Sequence, residues 1–171
     1  MTVEIPLTKG YVALVDEQDA ARVLAAGPWF ARPDRQTQLV YATHHAGRGR
    51  DGRRTESLHT FVTGWPFVDH RNGNALDNRR ANLREATRSQ NSANRRVPRT
   101  NKCGLKGVRF EAKRWRADIK VGGTSRYLGR FDTAEDAARA YDVAAREAWG
   151  EFAALNFPLP EETAARCLVA S

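Results

Sequence analysis

Between Phe67 and Asn91 the chain reads FVDHRNGNALDNRRANLREATRSQN, with one His, five Asn and five Arg. An imidazole titrates close to neutral pH, so His70 suits the deprotonation of a water. Asp69 beside it and the Asn side chains beyond it are hard oxygen donors, the type a divalent cation prefers. Arg79, Arg80 and Arg84 can neutralise phosphate oxygens, although Asp77 stands close enough to take Arg79 for itself. A base for water, with charge to offset the phosphate and the departing oxygen, is what phosphodiester hydrolysis needs. A core element would be more apolar, and a disordered tail has no use for Val-Asp-His followed by Asn-Gly.

These groups must be positioned. Asp69 and His70 are neighbours, so on a strand they point to opposite faces unless a bend turns both toward one site. Asn72-Gly73 is a tight-turn signal that predicts the chain folding straight back. NLREATRSQN predicts a helix beginning near Asn82 and carrying Asn91. Upstream, VEIPL and YVALVD read as two short strands, and DEQDAARVLAAG as a short helix ended by Gly27. PWFAR and LVYATHH read as a strand pair. Ala46 to Ser57, AGRGRDGRRTES, is polar and Gly-rich and reads as a flexible loop. LHTFVTG fits a helix or a strand. His44 and His45 match no motif and read as surface or DNA-proximal residues, and His59 reads as structural.

Downstream, Arg95 to Gly104 loses all periodicity and reads as a basic linker. LKGVRF, RWRADIKVGG and SRYLGRF then follow as three short segments. Trp115, Ala117, Ile119 and Val121 alternate with Arg114, Arg116, Asp118 and Lys120, the period of a half-buried strand. Ala134, Ala137, Ala138, Tyr141, Ala145 and Ala148 recur at helical spacing, with Thr133 or Asp132 as cap and Gly150 as terminator. So small a stripe lets a helix lie close on a sheet. Phe152, Leu155 and Phe157 would seal its edge.

Net charge is +8 with a pI near 10.1. From Arg79 to Arg130, sixteen Lys or Arg stand against three acids. Charge concentrated in this way points to a polyanionic partner. Cys103 and Cys167 have neither zinc-site nor disulfide spacing, which suits a reducing cytoplasm. No apolar run approaches a membrane span, and no export signal is visible at the N-terminus.

Val68 to Arg96, with Asp-His, Asn-Gly-Asn, Asp-Asn-Arg, Asn-Leu-Arg and a later Gln-Asn in that order, resembles the signature of HNH endonucleases of the phage and intron homing type, whose site is a ββα-metal hairpin and helix. The resemblance implies His70 as general base and Asp69 and Asn91 as the protein ligands of one Mg²⁺ or Mn²⁺. It implies Asn82 as the middle Asn that braces the loop and holds the histidine. An Asn in place of the final His favours a hard cation over zinc. Asn94, one turn on, is a weaker candidate ligand. Thr60 stands where the family has a basic residue after His59.

Lys106 to Pro158, above all GVR, YLGRFDTAEDAARAYD and LNFP, resembles the DNA-binding domain of plant ethylene-response factors. There a three-stranded sheet enters the major groove and a helix braces it. By position Arg109, Lys120 and Tyr127 correspond to DNA-contacting residues, and Lys106, Arg114, Arg116, Arg126 and Arg130 to phosphate contacts. Arg95 and Arg96 of the linker would follow the backbone. Trp115 reads as core, because it shares a face with Ile119.

The expected fold is therefore α+β. An HNH nuclease domain spans residues 1–94, with the ββα-metal motif at about 66–94. A linker follows over 95–104. A three-stranded antiparallel sheet packed on one helix occupies 105–158, and a tail 159–171. The expected function is a monomeric, metal-dependent endonuclease in the bacterial or phage-infected cytoplasm. It nicks double-stranded DNA where the C-terminal domain directs it and leaves 5′-phosphate and 3′-hydroxyl ends. The alternative is a DNA-binding regulator with an inactive nuclease fold.

Overall fold

Short strands whose alternate side chains are apolar bury one face, and the first two do so. In β1 (Thr2–Pro6) and β2 (Val12–Asp16), paired antiparallel, Ile5, Ala13 and Val15 are at most 1% exposed. The helix α1 (Glu17–Ala25) adds Ala20 and Val23 to this core. Strands β3 (Phe30–Pro33), β4 (Val40–Gly49) and β5 (Gly52–Ser57) form an antiparallel sheet in that order. The segment LHTFVTG resolves as a helix, α2 (Leu58–Thr63), because Leu58 and Val62, four residues apart, are both buried and Gly64 ends it at φ 75°. The structure, a computed structural model, describes residues 1–35, 39–49, 52–95, 97, 101–160 and 162–164.

Two expectations for this region are corrected. The supposed flexible loop from Ala46 to Ser57 is mostly ladder, with His45 opposite Thr55 and Gly49 opposite Gly52. Backbone pairing carries a strand here without an apolar face. His44 is not a surface residue: it is 6% exposed, with its ring 4.3 Å from Trp29 and 5.5 Å from Phe61. His45, its neighbour on the other face of β4, is exposed.

After α2 come β6 (Val68–His70) and β7 (Leu83–Glu85), an antiparallel pair. The Asn72-Gly73 turn forms, with Gly73 N–H donating to the His70 carbonyl at 2.8 Å, but it does not fold β6 straight back. A loop over residues 71–82 intervenes. Nor does a helix begin near Asn82. Arg80–Asn82 make a single 3₁₀ turn, and Leu83, 4% exposed, enters the ladder. The helix α3 (Arg88–Ala93) starts later, where Thr87 and Gln90 close a capping box. Thr87 Oγ1 accepts from Gln90 N–H (3.2 Å) while Gln90 Oε1 accepts from Thr87 N–H (2.7 Å).

The chain divides into two compact units, Met1–Ala86 and Thr87–Ser171. In the second, β8 (Val108–Glu111), β9 (Arg114–Val121) and β10 (Thr124–Phe131) form the expected antiparallel sheet with β9 central, and α4 (Ala134–Trp149) packs on all three strands. Ala137, Ala138, Tyr141, Ala144 and Ala145 make the buried face of α4, and Thr133 caps it through the Asp136 N–H. Gly107 (φ 74°) lets the entry to β8 lie against α4, since a Cβ there would stand 2.0 Å from the Tyr141 ring. Trp115 packs at the edge of this core beside Phe110, as expected. The short strands β11 (Ala154–Leu155) and β12 (Thr163–Ala164) pair in parallel. Arg96, Pro98 to Thr100 of the expected linker, and the tail from residue 165, with Cys167, lie outside the described residues. No helix among the described residues is long and apolar enough to cross a membrane.

Candidate active site and nucleic-acid interface

The register of β6 and β7 sets the first unit's chemistry. Asp69 lies opposite Arg84 and His70 opposite Leu83. The Arg84 Nε and Nη2 both donate to Asp69 Oδ2, at 2.8 and 2.7 Å, and both side chains are 5% exposed or less. Arg84, expected at a phosphate, is thus spent on the candidate metal ligand beneath the surface.

His70 faces other partners. It is 7% exposed, with Nε2 at 3.4 Å from Asn78 Oδ1. An amide oxygen only accepts, so Nε2 carries the proton and Nδ1 the lone pair. Burial holds His70 below its ordinary pKa, against the Asn78 contact and the charges of Asp69 and Asp77, which pull it up. A neutral imidazole is the form a general base requires. The His59 ring stands at 89° to His70 with centroids 5.2 Å apart, and Tyr41 lies 5.8 Å from His59 and 6.4 Å from His70. Burial, with His70 alongside, holds His59 down at about 3.

Asn78 escaped the sequence reading. It is 1% exposed, and its backbone N–H donates to the Leu14 carbonyl (2.8 Å) while Leu14 N–H donates to Leu76 (2.8 Å). The loop therefore extends the free edge of β2, and that edge aims Asn78 at the histidine. The middle Asn of Asp-Asn-Arg was the available signal, but its partner strand lies far off in sequence. Asn82 braces the same loop. Its Oδ1 accepts from Asn72 N–H (2.9 Å), its Nδ2 donates to the Asp77 carbonyl (2.7 Å), and its own carbonyl accepts from Arg71 N–H (2.9 Å).

The remaining loop arginines are also used internally. Arg79 takes both oxygens of Asp77 (2.8 and 2.7 Å), the second of the two readings open to it. Arg80 takes both oxygens of Asp19 (2.8 and 2.9 Å) and the Val62 carbonyl (3.0 Å). Asp19 is 2% exposed and shares Arg22, so Arg80 first, and then Arg22, hold its carboxyl below the usual range. These pairs tie α1, α2 and the loop together.

Asn91 lies in the middle of α3 and Asn94 at its C-cap, 7% exposed, both in the second unit. Among the described residues no three His, Cys, Asp or Glu side chains gather as a metal site. The expected donors, one carboxylate and one amide oxygen, suit a hard cation in chemistry, and Arg84 is the standing counter-charge that such a cation would meet at Asp69.

In the second unit the alternation of β9 sends Arg114, Arg116, Asp118 and Lys120 to the face away from α4. Arg116 donates to Asp118 (2.9 Å) and Glu111 (3.1 Å), Arg109 reaches Asp118 (3.2 Å), and Arg130 reaches Glu111 (3.3 Å). The Arg116 guanidinium also lies 5.0 Å from the Tyr127 ring centre. Arg116, then Arg130, hold the Glu111 carboxyl below its usual range. Arg114 pairs with Asp132 (2.7 Å). Two expected phosphate contacts sit elsewhere. Arg126 lies opposite Ile119 and pairs with Glu147 of α4 (3.6 Å), and the Lys106 amine is bonded to the backbone at the end of α3. Arg95 is exposed.

A family model described as HNH endonuclease matches residues 61–93. The chain is similar to an uncharacterized HNH endonuclease of Acanthamoeba polyphaga mimivirus, at 37% identity over 53% of this chain and 46% of that one. It is similar to protein 3.8 of Escherichia phage T7, at 35% identity over 51% of this chain and 73% of the phage protein. An ethylene-responsive transcription factor of Arabidopsis thaliana is 50% identical over 33% of this chain and 23% of its own. The chain thus spans under half of the mimiviral protein and under a quarter of the plant factor. With the Asp69–His70 ladder and its Asn-rich loop in one unit and the basic sheet face in the other, the chain belongs to the HNH endonuclease family and joins to it a domain similar to the ethylene-responsive transcription factors.

Proposed function

We propose that the protein is a metal-dependent endonuclease that nicks duplex DNA at sites selected by its second unit. The observation that carries this reading is the buried His70, held neutral and oriented by Asn78 one residue from Asp69, inside the segment that matches the family. His70 Nδ1 takes the proton of the attacking water, and Asn78 keeps Nε2 as the donor. Asp69 and Asn91 would hold one Mg²⁺ or Mn²⁺, whose chemistry is to offset charge on the phosphate and the departing oxygen. Asn82 keeps the loop after His70 in shape. The products would carry 5′-phosphate and 3′-hydroxyl ends.

Arg109, Arg114, Arg116, Lys120, Tyr127 and Arg130 form the DNA-facing surface of the second unit, and Arg95 and Arg96 follow the backbone. A sheet face of this kind fits the major groove of B-form DNA and not the deep, narrow groove of an RNA duplex. One base and one pair of ligands per chain give a single cut, hence open-circle product from supercoiled plasmid. The test is that plasmid with Mg²⁺. His70→Ala is expected to abolish nicking while duplex binding persists. Linear product without an open-circle stage overturns the nicking reading. Duplex binding equal with and without EDTA, and no cutting under any metal, would mark a regulator instead.

A further inference from the structure

The helix that carries Asn91 has only six residues, too few to hold a helical turn geometry unaided. Other residues of the second unit, to which it belongs, tie it at both ends. The Lys106 ammonium donates to the carbonyls of Ala93 and Arg95, at and just past its C-terminal end. A lysine there satisfies carbonyls that lack intrahelical partners and opposes the negative end of the helix dipole. Lys106 is itself fixed. Its N–H donates to Asn156 Oδ1 (2.7 Å) and its carbonyl accepts from Asn156 Nδ2 (3.1 Å). Asn156 in turn donates to Asp142 Oδ1 through its N–H (2.8 Å) and Nδ2 (3.1 Å), and Phe157 N–H donates to Asp142 Oδ2 (2.8 Å). Asp142 is 2% exposed on the inner face of α4. At the other end of α3, Trp149 Nε1 donates to Ser89 Oγ at 3.4 Å, and α3 lies against α4 and the turn Gly150–Phe152.

We propose that Lys106, supported by Trp149, is a positioning residue for Asn91. Two ties, one before Asn91 and one after it, fix both the place and the rotation of its helix. The proposal rests on the reading of Asn91 as a ligand. On it, the affinity for metal depends on the Lys106, Asn156 and Asp142 network.

The test uses the full chain and two measurements: Mn²⁺ binding without DNA, followed by the paramagnetic resonance of the free ion, and binding to a mixed-sequence duplex in EDTA. Lys106→Met is expected to weaken Mn²⁺ binding about tenfold or more, the scale for residues that orient metal ligands. Duplex binding in EDTA stays at the parent's level, and Lys106→Arg restores most of the metal affinity. Unchanged Mn²⁺ binding overturns the proposal. So does a drop in duplex affinity with a salt slope shallower by about one, the mark of a lost phosphate contact. If Lys106→Met loses its near-ultraviolet dichroism, Trp149→Phe, which keeps an aromatic ring and removes the donor, decides on the same readouts. Asn91→Ala separates the two levels. If it binds Mn²⁺ like the parent, the ligand reading fails; if it weakens binding while the Lys106 and Trp149 variants do not, only the positioning fails.

Discussion

Arg84 faces Asp69 directly across the two-stranded ladder, and both guanidinium donors fall on one carboxylate oxygen. Leaving one member of such a buried pair alone costs more than removing both. Arg84→Met is therefore expected to lower stability by about 3–5 kcal/mol in urea unfolding. The double variant Arg84→Met with Asp69→Leu recovers most of that loss. A cost below about 1 kcal/mol, the range of exposed pairs, would mean that solvent reaches the pair.

Asn78 is expected to matter to rate more than to binding. Asn78→Ala removes the acceptor of the His70 Nε2–H, a contact of about 1 kcal/mol or somewhat more. Single-turnover DNA cleavage is then expected to fall about tenfold or more, while duplex affinity in EDTA is unchanged. Equal losses in both would assign Asn78 to the loop's stability alone.

His59 gives the first unit a particular acid sensitivity. Folded, it takes a proton only at about 3. Unfolded, it takes one near 6.5. Between these values the unfolded chain binds more protons, so stability is full above about pH 6.5 and falls as pH drops toward 3. The slope from this residue reaches at most about 1.4 kcal/mol per pH unit, and His70, shifted the same way, adds to it. His59→Gln is expected to flatten the dependence of the urea midpoint on pH between neutrality and about pH 5. A midpoint equally steep in the variant rules His59 out as the source.

The acids on the basic sheet face are expected to restrain it. Glu111 holds Arg116 and Arg130, and Asp118 holds Arg109 and Arg116. Glu111→Gln releases the Arg130 guanidinium toward phosphate, while Arg116 keeps its bonds to Asp118. Duplex affinity then rises, and its salt dependence steepens by about one unit of log–log slope. Discrimination between sequences narrows at the same time, because the gain is blind to the bases. Lower affinity for every duplex would show that Glu111 aligns the arginines for binding instead.

The second unit was almost fully legible in the sequence, because its alternation in β9, its alanine stripe and its terminal glycine are local signals that agree. The first unit was legible in its residues but not in their pairing. Thr87-x-x-Gln90 is a capping box written in the sequence, and it marks the true start of α3. What masked it was the helical look of Asn82 to Glu85, which pairing with β6 overrides. Arg79, Arg80 and Arg84 read as phosphate clamps by charge alone. Their carboxylate partners are set by tertiary register, as is the role of Asn78. His44 looked like a surface residue because nothing in LVYATHH says that Trp29 and Phe61 will close over it.

The loop that carries Asn78 is laid along the edge of β2, and Arg80 is bonded to acids 61 and 64 residues earlier in the chain. The matched segment, residues 61–93, is therefore no portable cassette. Grafted onto another protein it would bring its histidine and its candidate metal donors, but neither the strand edge that aims the histidine nor the carboxylates that anchor its arginines. A shuffling event, natural or engineered, that transfers this chemistry intact has to carry the N-terminal hairpin and α1 with it.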